Sequence, residues 1–321
     1  MIALRGTNFG PVFTASGTLN FFGQGWPYHQ YYKLIPGFDF SGSTMIAKTT
    51  TMDNRPGNMP LDKSFQPKEF RPKCIYVDFV KGIVLNSVGL SGPGVEKLLQ
   101  TGCWQEINES FFISFMAVGS TKDERMNELK RFCQLIASTN NFKAKVGLEI
   151  NISCPNTQHN PNHLIIEAAE MVNIADAILK TIPLVIKISV LIDPLTVKQI
   201  IAETPCDAID VSNTIPWGQL PGSIDWADLF GSMTSPIHMF GGGGLSGKPL
   251  LSLVADWIEK ARQCGIKIPI IGGGGILCQN DVDVIKCSGA NAISIGTAAI
   301  LRPWRVQGII NYANTILRRG L

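Results

Sequence analysis

The eight cysteines include no C-x-x-C pair, no Cys/His metal spacing and no disulfide framework. That excludes zinc-ribbon and iron–sulfur ligation by this chain. Reduced thiols in a cytosolic protein are the simple reading. The four histidines show no metal spacing either; His159 and His163 flank prolines, and none of the four is given a role. Charge is scarce: 17% of residues are charged, net charge is +3 and no basic run appears, so nothing points to nucleic acid. No window supplies ~20 uninterrupted apolar residues, so no membrane span is expected. Residues 1–10 lack a charged leader with an apolar core, so no signal peptide is expected and the location should be cytoplasmic.

What the sequence has in plenty is apolar residues, at 45%, and 32 glycines. The glycines cluster between apolar runs, which marks tight turns or close backbone approach, not linker. Strands are expected over 12–18, 43–50, 111–118, 145–153, 184–190, 208–213, 268–271 and 292–295. Helices are expected over 29–34, 94–101, 121–138 with Ser120 as N-cap, 163–181, 194–203 with Asp193 as N-cap, 248–264, 281–287 and 306–317. Residues 52–81 read as a long irregular excursion, with a hairpin around 75–84, and a loop runs from 214 to 239. Loops that long inside compact folds are usually functional. Strand–helix alternation implies parallel pairing, and eight units close into a (β/α)8 TIM barrel with an insertion near its mouth. The chain of 321 residues suits one such domain over 1–321. An open doubly wound sheet is the runner-up. The barrel is preferred because polar residues mark nearly every strand end, whereas an open sheet would concentrate them at one switch point.

The run Asn151-Ile152-Ser153-Cys154-Pro155-Asn156 stands at one such end, where the proline stops the strand. Its carboxamides donate and accept, which suits a planar ligand edged with amides and carbonyls, and its thiol can take or give a proton. Asn86 and Asn213 also fall near strand ends. Singly each asparagine reads as a turn or cap residue; together at one mouth they would form a hydrogen-bonding lattice. Lys48 and Lys187 lie in or at the end of apolar strands, where an ammonium needs an anion: a structural partner such as Glu149, a carboxylate substrate or a reduced flavin. Lys187 as a Schiff-base former is a further reading. Glycine runs at 241–244 and 272–275, and Gly296-Thr297, precede helices late in the chain, where barrels commonly bind phosphate.

With Ala15-Ser16-Gly17 upstream and Lys48-Thr49 on the second strand, Asn-Ile-Ser-Cys-Pro-Asn resembles the soluble, class 1 dihydroorotate dehydrogenases, in order from about residue 12 to 300. The resemblance implies flavin mononucleotide (FMN) across the barrel mouth and oxidation of (S)-dihydroorotate to orotate in pyrimidine biosynthesis. It makes Cys154 the base that takes the C5 proton, while the hydride leaves C6 for flavin N5. It assigns the substrate to Lys48, Asn86, Val88, Gly89, Leu90, Asn151, Asn156, Asn213 and Thr214. It assigns FMN to Ala15, Ser16, Gly17, Lys48, Thr49, Asn151, Lys187, Val211, Gly242, Gly243, Gly273, Gly274, Gly296 and Thr297, with no metal. A homodimer is expected. The aromatic segment 21–32, the long stretch 60–81 and the polar loop after Asn156 depart from the family pattern. They leave the oxidant open among fumarate, another small oxidant and NAD through a partner subunit. Two other readings stand beside this one: action on a related dihydropyrimidine, and a phosphate-binding lyase barrel using Lys187. A barrel that serves only as a subunit of a larger complex is a third.

Overall fold

Eight short apolar runs supply the framework: β1 (Val12–Thr14), β2 (Thr44–Met45), β3 (Phe111–Phe115), β4 (Val146–Asn151), β5 (Leu184–Ile188), β6 (Ala208–Val211), β7 (Ile270–Gly273) and β8 (Ala292–Ile295). The computed structural model describes residues 2–34, 38–139, 141–152 and 161–318. All eight strands are parallel, in the order β2-β1-β8-β7-β6-β5-β4-β3. The two edges then meet: Ala47 N–H donates to Phe112 O at 2.8 Å and Thr50 N–H to Ser114 O at 2.9 Å. The sheet is therefore closed, and the fold is a (β/α)8 barrel. Every residue of β3, β4 and β5 is buried, as strands covered by helices outside and side chains inside must be.

The barrel interior is layered by the two-residue period of its strands. Near their amino ends, Phe13, Ile46, Phe112, Val185, Ala208, Ile271 and Ala292 form an apolar plug. Ile2, Leu4 and Phe9 join it from a hairpin (Ile2–Leu4 with Thr7–Gly10) that the sequence reading does not anticipate. Gly147 has no alternative here, because a Cβ on it would lie 2.2 Å from the Phe112 ring. Two residues further up, the layer becomes polar: Ser114, Glu149, Lys187, Asp210 and Ser294 all point inward and are buried.

The helices fall close to expectation. The helix Lys122–Ser138 is capped by Thr121, not Ser120. The reason is spacing: Glu124 is three residues beyond Thr121, so its carboxylate accepts from Thr121 N–H at 3.0 Å while Thr121 Oγ1 accepts from Glu124 N–H. Thr121→Ala should cost about 1 kcal/mol of stability, read as a lower urea midpoint with unchanged slope. An unchanged midpoint would remove the capping argument.

Over the mouth lies a second sheet. The hairpin Ile75–Asp78 and Ile83–Asn86 pairs with Gly244–Gly247, which pairs in turn with Ile215–Pro216, all antiparallel. The hairpin matches expectation; the strand at Gly244–Gly247 does not, and neither do the short helices Trp226–Phe230 and Ala298–Leu301. The described cysteines are all free thiols. Among the described residues no His, Cys, Asp and Glu group could hold a metal, and no helix is long and apolar enough to cross a membrane.

Candidate active site

A cavity opens at the carboxyl ends of the barrel strands, beneath the lid sheet. It collects residues that the sequence scatters over almost its whole length. Ala15, Ser16 and Gly17 follow β1, Lys48 and Thr49 follow β2, and Asn151 ends β4. Lys187 comes from β5, Asn213 and Thr214 follow β6, and Gly273, Gly274, Gly296 and Thr297 come from the ends of β7 and β8. The lid contributes Asn86, and the turn after it contributes Val88, Gly89 and Leu90. Cys154 and Asn156 lie outside the described residues, directly beyond Asn151 and Ile152.

Three expected residues are not on the cavity wall. Val211 is buried in the core. Gly242 and Gly243 sit behind the wall, where a Cβ on Gly242 would lie 3.1 Å from Trp217 and one on Gly243 2.9 Å from Asn86 O. The run at 241–244 leads into a lid strand and does not end a barrel strand, so Ser246 is the residue that reaches the cavity there. The other glycine run does reach the cavity, at Gly273, Gly274 and Gly275. A Cβ on Gly273 would fall 1.9 Å from Ser294 Oγ, and one on Gly275 2.8 Å from Leu251 N at the start of the helix Leu250–Gln263. A side chain is excluded, and backbone N–H groups beside a helix start make an anion cradle.

The amides are oriented by their neighbours. Asn213 Nδ2 donates to Asn151 Oδ1 at 3.0 Å, and Asn151 Nδ2 donates to Thr49 Oγ1 at 3.2 Å. Thr49 also exchanges hydrogen bonds with Ser16 Oγ (2.8 Å) and Ser114 Oγ (2.9 Å). Behind the turn, Asn58 N–H holds Val88 O and Arg55 Nε holds Gly89 O, while Gly89 and Leu90 adopt left-handed φ of 71° and 60°. Thr214 Oγ1 is buried with no partner among the described residues, so a ligand donor or acceptor would complete it.

Both lysines are buried cations with anchors. Lys48 Nζ donates to Ser91 O and lies 4.7 Å from the Phe21 ring centroid. Lys187 Nζ is 3.0 Å from Asp210 Oδ2 and 3.9 Å from Glu149 Oε2. Glu149 is the acid that the sequence offers as its partner; Asp210, which sequence reasoning missed, is nearer. Two fully buried carboxyls stand beside Lys187, so the structural ion-pair reading of this lysine is met. Burial pushes the Glu149 carboxyl up to about 8; Lys187 pulls it down less than that, and the Asp210 carboxylate adds to the rise.

The aromatic segment also finds a place. Trp26, Tyr28 and His29 line the cavity. Trp26 Nε1 donates to Gly17 O at 2.9 Å, and Trp26 N–H donates to His29 Nδ1 at 3.2 Å. Burial lowers His29 to about 4, so it is neutral at physiological pH. Its density of rings was visible in the sequence; nothing local said which cavity they would face.

The sequence profile of the dihydroorotate dehydrogenase family matches residues 3–317. Among curated proteins, the chain is 26% identical to "Dihydroorotate dehydrogenase B (NAD(+)), catalytic subunit" of Cutibacterium acnes over 97% of this chain and 90% of that protein. It is 30% identical to a protein of the same name from Listeria monocytogenes (94% and 87% covered) and 29% identical to "Dihydroorotate dehydrogenase A (fumarate)" of Lactiplantibacillus plantarum (96% and 90%). A crystal structure of the Eimeria tenella enzyme in complex with ferulenol shares the fold, with a TM-score of 0.67 at 19% identity over 100% of this chain and 88% of that one. With a profile match over residues 3–317 and relatives up to 30% identical over most of both chains, this chain belongs to the dihydroorotate dehydrogenase family of oxidoreductases.

Proposed function

We infer that this chain oxidises dihydroorotate to orotate with FMN as its cofactor. The observation that carries the reading is the convergence on one cavity of two anchored ammonium groups, three asparagines, two of them oriented by hydrogen bonds, and a side-chain-free glycine cradle. The residues present fit FMN. Gly273, Gly274, Gly296 and Thr297 suit its phosphate, and Ser16, Thr49 and Lys187 suit the polar edge of its ring. The chemistry FMN supplies when bound is acceptance of the hydride. The chain's residues do the rest. Asn86, Asn151, Asn213 and Thr214 match the amides and carbonyls of a pyrimidine, and the bond from Asn213 to Asn151 fixes which of their atoms donate. Lys48 supplies a cation for the substrate carboxylate. Cys154 takes the C5 proton. The lid sheet excludes water, which strengthens each of these contacts. Relatives named for fumarate and for NAD(+) match at similar identity, so the oxidant is a small molecule or a partner subunit's NAD.

The test is direct. The protein should take up FMN in a 1:1 ratio, and its yellow colour should bleach anaerobically with dihydroorotate but not with dihydrouracil, which lacks the carboxylate. Fumarate, or NAD with a partner subunit, should restore the colour. A chain that takes up no FMN, or holds it without bleaching, defeats the reading.

A further inference from the structure

Below the cavity floor, two carboxyl groups face each other in the closed barrel. Glu149 and Asp210 are both fully buried, and both converge on one ammonium, that of Lys187. Two carboxylates against one ammonium would leave an uncompensated charge away from water, so one of them must carry a proton. The surrounding donors say which. Ser114 Oγ donates to Glu149 Oε1 at 2.6 Å and Ser294 Oγ to Asp210 Oδ1 at 3.3 Å, so each acid has one hydroxyl. The ammonium breaks the tie: Lys187 Nζ is 3.0 Å from Asp210 but 3.9 Å from Glu149. Glu149, the acid farther from the cation, keeps the proton. Lys187 and Asp210 are the titratable groups facing Glu149 across the barrel; the layer beneath, with Phe112, Val185 and Ala208, is apolar.

We propose that Glu149 is a neutral acid at physiological pH, and that its proton sets the charge the barrel presents to the ligand above it. With the proton in place, Glu149, Asp210 and Lys187 sum to zero. Without it they sum to −1, beside a cavity built for anions. Glu149 touches no ligand in this scheme. It is a positioning residue that acts through Lys187, and through Ser114 and Thr49 it reaches the hydrogen bonds of Asn151 and Asn213. Its ionisation above the ordinary carboxylate range follows from burial.

The proton does not depend on the function proposed above; its effect on FMN does. Infrared spectra of the FMN-free protein are expected to show the carbonyl stretch of a buried protonated carboxylic acid at pH 7. The band should fade as pH rises through about 8 and be missing at every pH in Glu149→Gln, whose amide copies the neutral acid's shape. No such band in the wild type at pH 7 overturns the proposal, as does a band that survives Glu149→Gln and disappears in Asp210→Asn. If Glu149→Gln does not fold, the wild-type titration decides alone. Quenching of FMN fluorescence supplies the second arm. Wild-type affinity should fall at least ~10-fold between pH 7 and 9.5, the scale of one added charge in a partly desolvated site, while Glu149→Gln changes less than ~2-fold. Parallel loss in both proteins overturns the coupling to the ligand. Failure to bind FMN at any pH counts against the proposed function, and the infrared titration still decides the proton.

Discussion

Cys154→Ala is expected to lower turnover at neutral pH at least ~100-fold, the low end for a positioned base, while leaving FMN uptake unchanged. Cys154 lies outside the described residues, but its anchor does not: Asn151, three residues before it, ends a strand and is pinned by Thr49 and Asn213. A thiol of ordinary pKa is only a few per cent ionised at pH 7, so the wild-type rate should climb as pH approaches ~8.5. Cys154→Ser should keep part of the activity, with its rise moved to higher pH, because a hydroxyl is a poorer acid. The measurement is the rate of anaerobic flavin bleaching against pH in the three proteins. An alanine variant that bleaches at the wild-type rate would mean that the base is another group.

The second large effect concerns stability. Lys187→Met should destabilise the fold by about 3–5 kcal/mol at neutral pH, because it strands Asp210 and Glu149 without their cation. The pH dependence has a definite sign. Burial raises Glu149 from its ordinary 4.5 to about 8, so the stability its proton contributes is complete at low pH and lost as pH rises through about 8. A buried carboxyl left without its cation costs less once it is neutral, so the deficit of the methionine variant should shrink at lower pH. Denaturant midpoints for both proteins at pH 5, 7 and 9 check this. A deficit below ~1 kcal/mol, or one independent of pH, would show that the ammonium does not hold the pair. The double variant Lys187→Met/Asp210→Asn should recover part of the loss, since it leaves no uncompensated charge.

The barrel was legible because its strands are buried on both faces. A stretch such as Phe111–Phe115 or Leu184–Ile188 is apolar almost throughout, and such runs survive reading from one sequence. The lid strand Gly244–Gly247 was illegible for the opposite reason. Leu245 is its only large apolar residue, and it is a strand because Ile83–Asn86 lies beside it, a partner far away in the chain. That one miss displaced the glycine assignment, since Gly242 and Gly243 read as a phosphate loop when seen without the lid. The amino-terminal hairpin, Ile2–Leu4 with Thr7–Gly10, was too short to show a period, and its purpose appears only once the barrel floor exists. In the site itself, lysines and asparagines at strand ends were readable from their cost of burial. Asp210 was not, because an acid inside an apolar strand names no partner until the barrel closes.

Closure has a consequence for how the protein comes into being. Val12 pairs with Ile293 across the barrel seam, and Ile83 pairs with Gly247 in the lid. At ~5–20 residues per second, each early strand must wait many seconds for its partner to be made. Until then the early strands wait with unpaired edges, and nascent chains of this length depend on chaperoning or on speed. The cavity between barrel mouth and lid therefore exists only after both seams have closed, so any ligand it takes must be captured after that point.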